Sequence, residues 1–360
     1  MKYALIIFFI CLAIVPSVAQ RPMPGQRPVS SGPQLPDGPL SLQDLSLALR
    51  RNVGRDMTEA DLGARIQRYG IDFIATPEMM ARFRSLGAHP HLLNVIRRAS
   101  DKFAPSPGGA EGGKPDPIIE EVRKNVKDYV DELPDFICRQ EVQRFIDTDG
   151  TGGWQKMDEL AFELTYNRKQ ESYKLVRVNG MPQPPKSTGA PGGASSAGEF
   201  ASALNSLFDP GTAAVFKAAG KERLGTHQAF VYDYHVAQPK SQLSVKIGDD
   251  PQFLPAYSGT VWIDADTKQV LRIEQAIEDP PAQYRLFSGD KIIDYEMVKL
   301  RGIDVQVLLP VKAEVMMLNR ALKAYSRNVI YFKFYQKFES DVKIITDEEK
   351  TDKPKPPEKP

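Results

Sequence analysis

Apolar positions along the chain recur first at helical spacing and then alternate. Between residues 40 and 100 four short helix patterns follow one another. Ser41 precedes Leu42, Leu45 and Leu49, and Asp44 lies where a capping box places its acid. Gly54 closes this run. Thr58 and Asp61 open a second, carrying Leu62, Ile66 and Tyr69 and ended by Gly70. Thr76 and Pro77 supply a cap and a first-turn proline ahead of Met80, Phe83 and Leu86, with Gly87 as the stop. Pro90 opens the fourth, through Leu92, Leu93 and Ile96. Each segment has one apolar face, so the four predict a small all-α bundle. Residues 118–130 predict a further helix, with Ile119, Val122, Val126 and Tyr129/Val130 on one side, and Leu133-Pro134 ends it.

From residue 136 the period falls to two. In residues 156–167, Leu160, Phe162, Leu164 and Tyr166 alternate with Glu159, Glu163 and Thr165, the pattern of a strand with one buried and one wet face. Strands are also predicted over 136–146, 172–178, 229–236, 243–247, 258–264, 270–277, 291–299, 304–309, 313–318 and 326–338. Residues 199–208 and 212–219 read as helices. Turns such as Asn179-Gly180, Asp266-Thr267 and Arg301-Gly302 are short, which favours antiparallel pairing. The expected fold is α+β: a curved antiparallel sheet of the half-barrel type with helices on one face, plus the small N-terminal all-α bundle.

Stretches rich in Pro, Gly and Ser divide the chain. The expected organisation is a signal peptide over 1–19, a disordered linker over 20–39, the helical domain over 40–100, a linker over 101–117, the β domain over 118–346 and a disordered tail over 347–360. Residues 181–198 form a flexible insertion within the β domain.

The first residues read MKYALIIFFICLAIVPSVAQ. Lys2 is a positive n-region, residues 4–15 are apolar, and Ser17-Val18-Ala19 offers small residues for cleavage between Ala19 and Gln20. The apolar run is shorter than the roughly 20 residues that span a bilayer, which disfavours a membrane anchor. Cys11 lies inside that run without the small preceding residue of a lipidation site. The expected product is an exported protein, in the periplasm or secreted, with no integral membrane segment after cleavage.

Cleavage removes Lys2 and no acid, so Lys plus Arg falls from 47 to 46 against 46 acids. A balanced chain gives no general electrostatic reason to bind nucleic acid or anionic lipid. Cys138 is then the remaining cysteine, and no intramolecular disulfide is expected.

No catalytic constellation stands up in the sequence, so the chain reads as non-enzymatic, with no cofactor and no metal. His89-Pro90-His91 is a close histidine pair, but the proline rules out the regular i, i+4 helical geometry and no third ligand is evident. His235 reads as structural, and a spatial cluster of His227 or His235 with carboxylates in a cleft would favour a hydrolase. Cys138 follows a strand pattern and reads as a small buried side chain. Asp249-Asp250 and Asp264/Asp266 could hold calcium or act as acid and base, and turn chemistry explains them more simply.

The segment from Gly259 to Glu274, GTVWIDADTKQVLRIE, is the most informative. A strand ends in Asp264, turns through Asp266-Thr267, and returns with Leu271 and Ile273 alternating with Arg272 and Glu274. It resembles the signature hairpin of the outer-membrane lipoprotein-sorting and carrier proteins, the LolA-like envelope fold. The order of parts is similar too: a leading helix, several strands, two mid-chain helices, and a strand with G-x-x-x-x-x-x-L-P at residues 302–310 before long closing strands. The stretch from Leu133 to Cys138 resembles the start of such domains. The likeness spans residues 117–346 by pattern rather than by close identity.

The resemblance implies an incomplete barrel with an apolar cavity that holds acyl chains. Residues expected to line it are Leu160, Phe162, Leu164 and Tyr166, Phe230, Tyr232 and Tyr234, Trp262, and Ile330, Phe332 and Phe334. The plainer reading is that they form the packed core. The resemblance thus implies a lipid, a lipidated protein or another apolar ligand, and the helical module, outside the resemblance, reads as a protein-interaction or spacer unit. The alternatives are a structural or interaction protein with a filled core and, third, an envelope hydrolase. The bundle and the insertion are not parts of a minimal carrier.

Overall fold

Side-chain caps fix where the helices begin. The computed structural model describes residues 35, 37–52, 57–101, 116–148, 150, 153–184, 200–245 and 250–338. The expected signal peptide with its cleavage point between Ala19 and Gln20, most of both linkers, most of the insertion and the tail lie outside them. Ser41 and Asp44 form the expected capping box ahead of α1 (Leu42–Leu47). Thr58 and Asp61 do the same for α2 (Glu59–Tyr69). Thr76 caps α3 (Pro77–Ser85), and α4 (Pro90–Asp101) follows. Each cap satisfies amide groups that the first turn leaves without an intrahelical partner.

Asp116 caps α5 (Pro117–Glu132) and also accepts a hydrogen bond from the Tyr232 hydroxyl at 3.0 Å. The start of this helix is thereby pinned to the sheet. Its end leads through Leu133-Pro134 into the first strand.

The strands are β1 (Phe136–Asp147), β2 (Gln155–Asn167), β3 (Gln170–Val178), the two-residue β4 (Met181–Pro182), β5 (Val215–Leu224), β6 (His227–Val236), β7 (Ala256–Asp264), β8 (Val270–Glu278), β9 (Leu286–Lys299), β10 (Gln306–Asn319) and β11 (Ala324–Lys337). They form one eleven-stranded sheet in the order β4-β3-β2-β1-β11-β10-β9-β8-β7-β6-β5. Every pairing is antiparallel. Laid flat, eleven strands would be about 48 Å wide. Yet α6 (Ala201–Phe208), about 12 Å long, spans from β11 in the middle of the sheet to the edge strand β5. Phe200, just before it, packs on Phe332 of β11 with centroids 5.1 Å apart, and Phe208 at its end stacks on Phe216 of edge strand β5 at 5.4 Å. The sheet therefore curls into an open half-barrel around α5 and α6.

Three expectations are corrected. Residues 212–219 do not form a helix. Val215–Leu224 is a strand, because Phe216 and Ala218 find partners in Tyr234 and Tyr232 of β6. The two strands expected either side of Pro310 are one, since a register shift between Pro310 and Lys312 absorbs the missing amide. Of the expected strand over 243–247, the described residues 243–245 make one bridge, Val245 to Phe253, and residues 246–247 lie outside the described ones.

The helical bundle covers the convex face. Its own core holds Leu45, Leu62, Ile66, Phe83, Leu92 and Ile96. The other side of α4 packs on β7, β8 and β9. Arg97 binds both carboxylate oxygens of Asp233, at 2.9 and 2.7 Å, and Asn94 donates to the Ser258 carbonyl at 3.2 Å. Arg84 pairs with Glu274 at 3.0 Å and lies 4.6 Å from the Trp262 ring centroid. One face of α4 is thus packed on the sheet, and β7 is buried on both sides.

One glycine sits under unusual constraint. Tyr234 donates across it to the Glu274 carbonyl at 2.8 Å. A Cβ at Gly259 would run into that carbonyl oxygen and lie 2.8 Å from the Tyr234 hydroxyl. Gly259→Ala is expected to destabilise the fold by about 3 kcal/mol, through overpacking and loss of a buried hydrogen bond. Urea denaturation measures this, and a change below about 1 kcal/mol would show that the strands can shift to accept the methyl group.

Candidate functional site

The inner face carries a dense aromatic cluster. Phe136 stacks on Tyr166 at 5.2 Å, and its ring lies 5.3 Å from Phe200 and 5.6 Å from Tyr335. Leu160, Leu164, Tyr166, Tyr232, Tyr234, Ile330 and Phe332 are buried in this core, and Phe162 and Phe230 pack against it half-buried. Two expected lining residues lie elsewhere. Trp262 pairs with Val231 in register, so its side chain points to the convex face, where it meets Ala229, Val231 and Arg84. Counting by twos from Ile330 also places Phe334 inside. A bulge opposite β1, with Phe334 at φ 59°, turns that ring outward instead, and it is 69% exposed.

An open cavity of about 450 Å³ lies at one end of the half-barrel. None of the eleven expected residues lines it. Its walls are α5 (Asn125, Val126, Tyr129), Leu204 of α6, the β7–β8 turn (Thr267 to Val270) and the facing ends of β9 and β10 (Met297, Val305 to Leu308). Its rim is polar, with Asp128, Glu132 and Lys268. Met297 and Val305 are large apolar residues left 44% and 54% exposed there. Sequence periodicity missed this site because its residues come from two helices, a hairpin turn and two strand ends that lie far apart in the chain.

The hairpin singled out in the sequence does reach the cavity. Asp264 is buried and accepts from the Asp266 and Thr267 amides at 2.9 and 2.8 Å, which fixes the turn that forms one wall. His227 approaches its other oxygen at 2.7 Å. Burial opposes ionisation of Asp264, but the bonds from Thr267, His227 and Asp266 hold its pKa below the ordinary value. These contacts give Asp264 a turn-forming role.

Burial pushes the Cys138 thiol well up, which suppresses the thiolate. Burial also raises the Tyr129 phenol; among the described residues its hydroxyl and that of Tyr166 have no hydrogen-bond partner. Glu278 receives Arg98 at 2.6 Å, His235 at 3.4 Å and a short bond from the Ser258 hydroxyl. Burial works against its charge, yet these donors and the Arg98 charge bring it down to about 2.

No family model matches this sequence, and no curated protein does. Among solved structures, the chain is similar to a LolA superfamily protein from Nitrosomonas europaea, at 9% identity and a TM-score of 0.33, over 64% of this chain and 98% of that one. It is also similar to a DUF1329 family protein from Desulfovibrio piger, at 12% identity and a TM-score of 0.30, over 63% and 93% of the two chains. A third is the lipoprotein LppX of Mycobacterium tuberculosis, at 9% identity and a TM-score of 0.24, over 62% and 98%. At these values the likeness assigns neither ligand nor activity.

The His89-Pro90-His91 segment meets the sheet at a buried carboxylate. His89 Nδ1 lies 3.2 Å from Glu59. Burial disfavours its charge, but the hydrogen bond to Glu59 and the carboxylates of Glu59, Asp290 and Glu314 raise it to about 9. Burial raises Asp290 to about 8, partly offset by His89 and the His91 amide, with Glu59 and Glu274 adding to the rise. Burial lowers His91. A histidine held above its unfolded value stabilises the fold below that value and loses the effect as pH rises through 9. A carboxyl held high likewise favours the fold while protonated and loses the effect as pH rises through 8. Thermal stability is therefore expected to fall as pH rises from about 6.5 to about 9. Asp290→Asn should flatten this fall. An unchanged slope in the variant would show that Asp290 does not titrate there.

Proposed function

We propose that this chain is an exported, non-enzymatic binding protein that takes an apolar ligand, a lipid acyl chain or a lipidated protein, in the cavity at the mouth of its half-barrel. The observation that carries the reading is that cavity: about 450 Å³, walled by Val126, Leu204, Val270, Val307 and Leu308, with a polar rim. Such a volume lies in the roughly 300–1,000 Å³ range of ligand pockets, and an apolar wall with a polar rim suits an amphipathic guest. Each buried methylene contributes about 0.8 kcal/mol, so a short stretch of chain suffices for reversible carriage.

In this reading the polar group rests near Asp128, Glu132 and Lys268. The chain points inward along the face that carries Leu164, Tyr232 and Phe332, as α5 and α6 give way. Export to the periplasm belongs to the same proposal. It rests on the residues before Gln20.

A second reading has its own support. The interlocked rings of Phe136, Tyr166, Phe200, Phe332 and Tyr335 fill the inner face, as a purely structural protein would require.

The carrier reading predicts that lipid is recovered when the purified protein is extracted and analysed by mass spectrometry. It also predicts that a fluorescent fatty acid binds. Met297→Glu with Val305→Asp changes two exposed wall residues and should leave folding intact. It should weaken the fatty acid at least about tenfold, or ~1.4 kcal/mol. No extracted lipid together with no fatty-acid binding would overturn the carrier in favour of the filled structural core.

A further inference from the structure

The outward turn of Phe334 leaves an aromatic ring on the surface at a cost. It is a non-glycine residue in the left-handed region, with φ 59°, and it is 69% exposed. Such a conformation is unfavourable for a bulky side chain. The ring also gives up the burial that its neighbour Phe332 obtains. It stands beside a groove of about 460 Å³ between the ends of β9, β10 and β11, where Val298 and Val311 supply apolar floor.

The charges around it are unequal. Arg139 places its guanidinium 5.4 Å from the Phe334 ring centroid. Arg301, in the β9–β10 connection, is held beside Gln336 by backbone bonds to Tyr335 and Lys337 and is exposed. Three nearby carboxylates pair with lysines, Glu163 among them, which lies opposite Arg139 in the β1–β2 register. Glu141 pairs with Lys333 at 2.6 Å, Glu163 with Lys174 at 3.8 Å, and Asp304 with Lys299 at 2.6 Å. Among the described residues neither Arg139 nor Arg301 has a carboxylate partner. Two guanidiniums that make no ion pair among the described residues thus lie beside one exposed ring. An aromatic ring settles at the boundary of a bilayer, and guanidinium binds phosphate through paired N–H groups.

We propose that this patch, Phe334 with Arg139 and Arg301, docks the protein on an anionic lipid surface. The register places it at the end of the sheet that also carries the cavity mouth, since β9, β10, β11 and β1 meet there through Lys299–Gln306 and Phe136–Lys337. Docking would bring the mouth against the lipid headgroups. The inference stands apart from the cavity's ligand: the patch can bind a surface whether or not a lipid enters.

The test is co-sedimentation of the protein, purified from cells expressing the full chain, with two kinds of vesicle. One is phosphatidylglycerol and phosphatidylcholine in equal parts, and the other is phosphatidylcholine alone. Binding should favour the anionic vesicles and weaken as salt is raised. Arg139→Ala and Arg301→Ala should each weaken it about fivefold, and the double variant by about the product. Phe334→Gly should also weaken it, and glycine accepts the positive φ, so the fold is kept. Lys240→Ala, an exposed cation elsewhere, should change nothing. Equal binding to both vesicles, absence of binding, or undiminished binding by the arginine variants would each overturn the proposal. Fatty-acid binding measured without vesicles reports separately on the cavity, so the two failures are distinguishable.

Discussion

The β domain depends on the pairing of β1 with β11. Glu141 lies opposite Tyr331, Val142 opposite Ile330, and the ladder runs from Phe136 to Asp147. Without it the chain would make two separate meanders, β1 to β4 and β5 to β11, neither able to surround α5 and α6. The two strands are far apart in sequence. Closing so long a loop costs only about 0.6 kcal/mol more per doubling of its length, so the penalty falls on folding rate more than on stability. Phe136, at the start of β1, shows how the pairing is secured: its ring touches Tyr166, Phe200 and Tyr335, and so joins β2, the segment before α6 and β11.

The convex face is held by a different kind of contact. Among the described residues two small apolar clusters lie there: Ala229, Val231 and Trp262, and Met316, Leu318 and Tyr325, against which Ala60 of α2 packs. Polar pairs add to them: Arg84, Arg97 and Arg98 meet Glu222, Asp233, Glu274 and Glu278. Partly buried pairs of this kind lose much of their attraction to desolvation. Their geometry still fixes one orientation, because each carboxylate left alone would be costly. The bundle is consequently a brace on the sheet, where its linker alone would suggest an independent unit.

Much of the fold was legible because periodicity reports which face of an element is buried. The capping boxes at Ser41 and Thr58, the amphipathic α5 and the alternation in β2 all survive in the structure. What failed did so where tertiary contacts override local pattern. The alanines of residues 212–219 read as helix until β6 offers a partner strand. Trp262 reads as an inner residue until the register pairs it with Val231. Phe334 follows the alternation until a bulge reverses it. The cavity was illegible for another reason. Its walls come from the middle of one helix, a hairpin turn and two strand ends, and no spacing along the chain brings these together.

The double burial of β7 has a consequence for motion. With α4 on one side and the aromatic core on the other, its amides have no wet face from which to exchange. Such a strand opens only when the whole domain does, whereas elements with fewer supports open alone. The hairpin wall of the cavity is therefore the fixed jaw. Breathing at the mouth falls to the opposite side, where α5 is tied at its start by Tyr232 and bridges to the β7–β8 turn through one long bond from Asn125 to Thr267, at 3.5 Å.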